Sequence, residues 1–174
     1  MKRLFIILVA IGLAFPFSGV FGQTAIKLGH TNSSDLMAAM PETDTAEAIL
    51  NRSAQTYQTT YEELQAEYSK KYEEYLKLVN EPTTSTVILR DREDDLQSTQ
   101  TRVENFQTQA QQDLTDQQTK LLQPIQEKLT KAINDVALEN GFTYVFDLAA
   151  GSILYKSATA TDITDLVKKK LGIQ

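Results

Sequence analysis

Few side chains of this chain are of a type that could carry out catalysis or bind a metal. Its 174 residues include no cysteine and one histidine, His30. Disulfides and thiolate metal sites are therefore excluded. A catalytic triad would need His30, but no serine lies in a nucleophile motif, and none of the seven glycines belongs to a phosphate-binding loop. The sequence predicts a protein that is not an enzyme and needs no cofactor or metal, with His30 as an ordinary strand residue.

Tyrosine is the side chain with the clearest spacing. Five of the seven tyrosines lie close together, at Tyr57, Tyr61, Tyr68, Tyr72 and Tyr75. With Leu64 and Val79 they are spaced 4, 3, 4, 4, 3 and 4 residues apart. This 11-residue repeat predicts a straight or slightly right-handed pairing of helices. The stripe fits either a seam between two helices or half-exposed rings that contact another molecule, since tyrosine joins an apolar ring to a polar hydroxyl.

The tyrosines fall within residues 42–140, a polar stretch that predicts two antiparallel helices with a tip near residues 80–86. Pro82 ends the first helix, because the residue before a proline disfavours helical dihedrals. In the second helix one face repeats every 11 residues, at Val103, Leu114, Ile125 and Val136. Because both halves share this repeat, we expect the two helices to pair along their length.

Parts of this hairpin are expected to differ in local stability and in their tendency to bind other apolar surfaces. Val87, Ile88 and Leu89 form an apolar tip, which predicts either contacts that cap the first helix or a small adhesive patch. Residues 97–118 are rich in Gln, Thr, Asp and Asn, so we expect low local stability there. Pro124 predicts a kink in the second helix, because it removes one backbone hydrogen bond.

Residues 23–41 and 141–174 are predicted to form a small α/β base that holds the ends of the hairpin together. Runs of β-branched and aromatic residues predict strands at 25–31, 142–148 and 152–156, the last two as a β-hairpin. The side chains assigned to an oligomerisation base are Ile26, Leu28, Val145, Phe146, Leu148, Ile153 and Tyr155. A base of this size has a thin core and open strand edges, so several copies are expected to pool their strands.

The N-terminus has the pattern of an export signal. Lys2 and Arg3 precede an apolar run, Leu4–Phe15, that is too short to span a bilayer comfortably. We expect a signal peptide at residues 1–22, cleavage after Gly22 and a periplasmic location, with no stable membrane insertion after cleavage. An uncleaved anchor helix is the alternative.

The charge of the chain limits its partners. Without residues 1–22 it keeps 15 basic and 23 acidic residues, a net charge of −8. A nucleic-acid partner is not expected, since such binding relies on clustered Lys and Arg. Three lysines, Lys168 to Lys170, end a helix predicted at residues 162–171. They either complement the helix dipole or form a patch for phosphate or lipid headgroups.

Several short motifs, in their order along the chain, resemble the OmpH/Skp family of periplasmic chaperones. The N-terminal ones are Ile26-Lys27-Leu28-Gly29-His30-Thr31-Asn32 and Met40-Pro41-Glu42. The later ones are Leu122-Gln123-Pro124-Ile125, Ala132-Ile133-Asn134-Asp135-Val136-Ala137, Asn140-Gly141-Phe142-Thr143-Tyr144-Val145-Phe146-Asp147, Ile153-Leu154-Tyr155 and Asp162-Ile163-Thr164-Asp165-Leu166-Val167. Each motif is short, but together with the hairpin they cover nearly the whole chain after the signal peptide.

The resemblance implies an α+β, mostly α fold: a homotrimer in which helical hairpins hang as tentacles from a small β-body. It also implies a holdase that binds unfolded outer-membrane proteins in the cavity between the arms, without ATP. The best-known relatives are basic and this chain is acidic, which places attraction to acidic clients or lipopolysaccharide in question. A structural coiled-coil scaffold of the envelope, with no unfolded clients, is the alternative.

Overall fold

The computed structural model describes residues 26–173, so the predicted signal peptide lies outside the described residues. The elements in chain order are β1 (Leu28–Thr31), α1 (Ser33–Ala38), α2 (Pro41–Val79), α3 (Thr86–Glu139), β2 (Tyr144–Asp147) and α4 (Thr164–Leu171). Two long helices and two short strands confirm the mostly helical α+β fold.

Helices α2 and α3 form the two arms of an antiparallel hairpin. Pro41 begins α2, where its missing N–H costs nothing. Asn80 follows the last residue of α2, and its side-chain amide donates to the carbonyl of Leu76 at 2.7 Å. Helix α3 begins after Ser85, whose hydroxyl accepts from the backbone N–H of Val87 at 3.3 Å. The local signals at residues 80–85 therefore reverse the chain.

The arms bury side chains near their two ends and little between. Ten apolar positions on one face of α3, including the four of the 11-residue repeat, are buried or half-buried: Leu96, Val103, Phe106, Ala110, Leu114, Leu121, Ile125, Leu129, Ala132 and Val136. Between Val103 and Ile125, however, no residue of the described helix is fully buried. The low stability expected of this middle segment stays a prediction, and few buried contacts are its physical basis.

The two strands pair in parallel, with Leu28 opposite Tyr144 and Thr31 opposite Asp147. The predicted β-hairpin was wrong: residues 152–156 form no strand in the described chain, and β2 pairs with β1 instead. The other edge of β1 is occupied by residues 161–163, through hydrogen bonds to the backbone of His30. Within one copy a strand at residues 152–156 would cover no core, since Leu154 is 99% exposed.

The core of the base is formed largely by the ends of the arms. Leu129 and Val136 of α3 pack with Leu36 of α1 and with Ile163 and Val167. The β-strands contribute little to this core, although Val145 packs against it. The helices that leave the base are thus also the helices that hold it together.

One glycine is required by close packing. A Cβ atom at Gly29 would lie 2.9 Å from the ring of Phe142 and 3.2 Å from Ile163. Strand β1 can therefore approach both neighbours only without a side chain at this position.

The last helix begins two residues later than predicted, because the Asp162 carboxylate accepts from the N–H of Thr164 at 2.8 Å and holds the turn before it.

Candidate functional site

Tyr57 lies in the seam between the arms. Its ring meets Phe106 edge to face, with the ring centroids 6.1 Å apart, and its hydroxyl donates to the Asp113 carboxylate. This hydrogen bond raises the pKa of Tyr57 and lowers that of Asp113. Gln117 also donates to Asp113 and accepts from Ser53 at 2.9 Å. The middle of the seam is therefore joined largely by polar contacts.

The other tyrosines of the stripe differ in exposure. Tyr61, Tyr68 and Tyr75 are half-buried, and the first two line a 280 Å³ groove beside Val103. Tyr72 is 46% exposed and stacks on Tyr68, with ring centroids 6.3 Å apart. Four rings of the stripe are thus half-buried and Tyr72 is exposed, and the choice between a seam and contact with another molecule stays a prediction.

A charged network joins the arms in their distal third. Lys71 donates to the carboxylate of Asp95 at 2.8 Å and to the hydroxyl of Thr99 at 3.0 Å. Glu67 lies 3.2 Å from the same ammonium and also pairs with Arg102. Thr99 is 2% exposed, which sequence analysis missed because threonine in a polar stretch carries no burial signal.

The tip of the hairpin presents apolar side chains to solvent. Val87 is 75% exposed, and Val79, Ile88 and Leu76 are each at least 40% exposed. Of the apolar run expected at the tip, Val87 and Ile88 are open to solvent, as in the patch interpretation, whereas Leu89 is half-buried. We call Leu76, Val79, Val87 and Ile88 the tip patch.

A second apolar groove lies between the arms next to the base. It has a volume of about 340 Å³ and is lined mainly by Ala46, Ile49, Leu121, Pro124 and Ile125. The Glu42–Lys128 ion pair stands at its edge. Helix α3 continues through Pro124. The kink expected there stays a prediction. Ile49, 42% exposed, was not singled out from the sequence.

The base carries a further groove with apolar lining that is open to solvent. This 590 Å³ groove is lined by six of the seven side chains assigned to the oligomerisation base, namely Ile26, Leu28, Phe146, Leu148, Ile153 and Tyr155. The seventh, Val145, packs against the core instead. Tyr155 is 83% exposed and Ile26 67%. We call this the base groove. Sequence analysis did not assign Leu154, which lies beside it in the chain and is the most exposed large apolar residue described.

His30 forms part of the wall of the base groove and is 6% exposed. Its backbone N–H donates to Thr161, and its carbonyl accepts from Ile163. Its Nδ1 is buried without a hydrogen-bond partner among the described residues. No group of three or more His, Cys, Asp or Glu side chains suited to a metal occurs in residues 26–173.

Residues 27–171 match a family described as outer membrane protein (OmpH-like). The chain belongs to the OmpH-like family. The match covers both arms and nearly all of the described base, and it confirms the resemblance drawn from the short motifs. No curated protein matches the chain.

OmpH-like proteins form a family of periplasmic chaperones associated with outer-membrane proteins. The arms and the base of this chain thus belong to a family whose members bind other proteins. Among the described residues, no helix has the length and apolar character that a bilayer crossing needs.

Proposed function

We propose that this protein is an ATP-independent periplasmic holdase that binds unfolded outer-membrane proteins between its helical arms. The observation that carries the proposal is the tip patch, an uncovered apolar surface at the end of a long hairpin anchored at its other end. Small apolar patches on adaptable arms make many weak contacts, which suits clients without a fixed structure. Membership of the OmpH-like family supports this function.

The proposed division of the chain assigns residues 1–22 to a signal peptide, 23–41 and 141–174 to the base, and 42–140 to the arm. Cleavage after Gly22 would release the mature protein into the periplasm. The arm carries the client contacts and the base joins the copies to one another.

The base groove is proposed as the contact between copies in a homotrimer. Its side chains are too exposed for a stable monomer surface, since large apolar patches on soluble proteins mark interaction sites. Residues 152–156 have a strand-forming composition but pair with no strand within one copy. A strand edge of a neighbouring copy can therefore supply their backbone hydrogen-bond partners. Oligomerisation would bring several arms together around one space.

The client contacts are proposed to lie at the tip patch, at the groove beside Pro124 and on the tyrosine stripe. Tyr72 is the tyrosine of the stripe that faces outward, and it neighbours Leu76 of the tip patch by one helical turn. Tyr57, Tyr61, Tyr68 and Tyr75 would act mainly by holding the arms together. The apolar area on each arm is small, so several arms would have to share one client.

Suppression of aggregation tests the proposal. A β-barrel protein unfolded in urea is diluted into buffer with the purified protein in several-fold molar excess, and light scattering is followed. We expect scattering to fall in proportion to the protein added, with no effect of ATP. Unchanged scattering at several-fold excess would rule out a holdase. An unrelated acidic helical protein of similar size serves as the control.

A structural scaffold of the envelope is the second candidate, and the contacts between the arms favour it. Tyr57 with Asp113 and Lys71 with Asp95 join the arms at two levels, as in a rigid rod. Hydrogen exchange separates the two functions. Fast amide exchange in residues 97–118 supports flexible arms that bind clients. Uniform protection of the amides along both arms supports a rigid rod.

A further inference from the structure

The negative charge of this protein lies on its arms. Residues 42–140 carry 19 acidic and 10 basic side chains, a net charge of −9. The base segments, 26–41 and 141–173, carry 4 acidic and 5 basic side chains, a net charge of +1. An incoming client therefore meets arms whose charge, taken over both helices, is negative.

Internal ion pairs neutralise little of this charge. Five arm acids form ion pairs among the described residues, namely Glu42, Glu67, Asp95, Asp135 and Glu139. The other 14 arm acids are exposed and have no ion-pair partner in the described chain, against six arm cations in the same condition. The excess of unpaired acidic side chains on the arms is thus available to another molecule.

Part of this excess follows the same 11-residue repeat as the tyrosines. Glu62 and Glu63 recur 11 residues later as Glu73 and Glu74, and all four are exposed. The repeat keeps them on one side of α2, away from the seam. Tyr72, the outward-facing ring, directly precedes the second pair. The outer part of this arm therefore carries both exposed acids and exposed apolar side chains, the latter at Tyr72, Leu76 and Val79.

We infer that the arms select unfolded client segments with a net positive charge that carry both apolar side chains and lysine or arginine. The inference rests on the proposed holding function and adds the charge of the client to it. The apolar patches on an arm are small, so attraction between exposed acids and client cations supplies part of the affinity and most of the discrimination. Neutralisation by a cationic client would also relieve repulsion between neighbouring acidic arms.

Two versions of one unfolded β-barrel protein test this selection. One version has its Asp and Glu replaced by Asn and Gln, and the other has its Lys and Arg replaced by Gln, so the apolar residues are identical. We expect the cationic version to bind about tenfold more tightly at low salt, with the difference shrinking as salt screens the charges. Equal binding, or tighter binding of the anionic version, would overturn the inference while leaving the holding function intact. Binding of neither version would overturn both.

Substitutions on α2 locate the effect. The charge-removing variant carries Glu62→Gln, Glu63→Gln, Glu73→Gln and Glu74→Gln, and the matched control carries Asp at the same four positions. We expect the Gln variant to lose at least half of the preference for the cationic client, and the Asp variant to keep it. Circular dichroism verifies that both remain helical. If both variants keep the full preference, the α2 acids do not select the client and the inference is overturned.

Discussion

The Nζ of Lys71 lies 2.8 Å from Oδ1 of Asp95, so one ion pair joins the outgoing arm to the returning arm. The same ammonium donates to the buried Thr99. Hydrogen bonds from Lys71 to Asp95 and Glu67 raise the pKa of the lysine, because they favour its charged form. Lys71 therefore contacts three polar side chains, two of them on the other arm.

Replacing Lys71 with Met should loosen the distal third of the hairpin. The change leaves Asp95 and Thr99 without their donor while keeping most of the side-chain volume. We expect faster amide exchange in residues 65–105 and little change in the base, because the network lies far from the core. Lys70→Met is the control, since Lys70 is exposed and forms no ion pair among the described residues. Equal exchange in the two variants would show that the network does not hold the arms.

Leu129→Ala should destabilise the base by about 2–5 kcal/mol, because it leaves a cavity where a side chain is 2% exposed. Urea unfolding followed by circular dichroism measures the effect. Leu138→Ala lies on the same helix at 80% exposure and should change the unfolding free energy by less than about 0.5 kcal/mol. A small effect at Leu129 would mean that the base core is not built on the arms.

The contribution of Asp147 to stability should depend on pH. Burial acts to raise its pKa, but hydrogen bonds from Ser33 and Ala149 outweigh it and hold the pKa below the ordinary 3.8. A carboxyl with a lowered folded-state pKa stabilises the fold above its unfolded value, and this contribution is lost as the pH falls below about 4.

Asp147→Asn should therefore lower the urea midpoint at pH 7 by an amount that shrinks towards pH 3. Removing hydrogen bonds to a charged group costs about 1–3 kcal/mol at pH 7. Asp165→Asn is the comparison, since Asp165 is exposed and its carboxylate accepts no hydrogen bond among the described residues. A constant loss across the pH range would contradict the charge-dependent role of Asp147.

Serine at Val87 and Ile88 should weaken client holding without weakening the fold. Both side chains are largely exposed, so their removal costs little folding energy. We expect roughly half of the aggregation suppression to be lost with an unchanged melting temperature. Ser substitutions at the exposed Thr83 and Thr86 provide a matched control at the same tip. A full loss of helicity would instead assign these residues to the cap of the first arm.

Arginine at Leu154 should block the proposed homotrimer. The side chain is 99% exposed in one copy, so a folded monomer tolerates the charge, whereas an apolar contact between copies does not. Mass measurement in solution should show a trimer for the unchanged protein and a monomer with intact helicity for Leu154→Arg. Arginine at Leu138, exposed on α3, is the control. A monomeric unchanged protein would overturn the proposed assembly.

Much of the helical architecture could be predicted from the amino-acid sequence. Helical hydrogen bonds join residues four apart, so the lack of Gly in residues 42–140, the break at Pro82 and the 11-residue spacing were enough to predict the arms and their inward face. The buried or half-buried positions of Val103, Leu114, Ile125 and Val136 agree with that face. The family resemblance also followed from sequence, through the order of short motifs along the chain.

The tertiary structure alone decided the pairing of the strands and the exposure of the apolar side chains. Strand partners lie far apart in the chain, so local composition at residues 152–156 predicted a strand but could not show that β2 pairs with β1 instead of with this segment. Exposure likewise depends on what surrounds a side chain. Leu129 and Leu154 are the same residue type, yet one is 2% and the other 99% exposed, because only the first meets the converging ends of the arms.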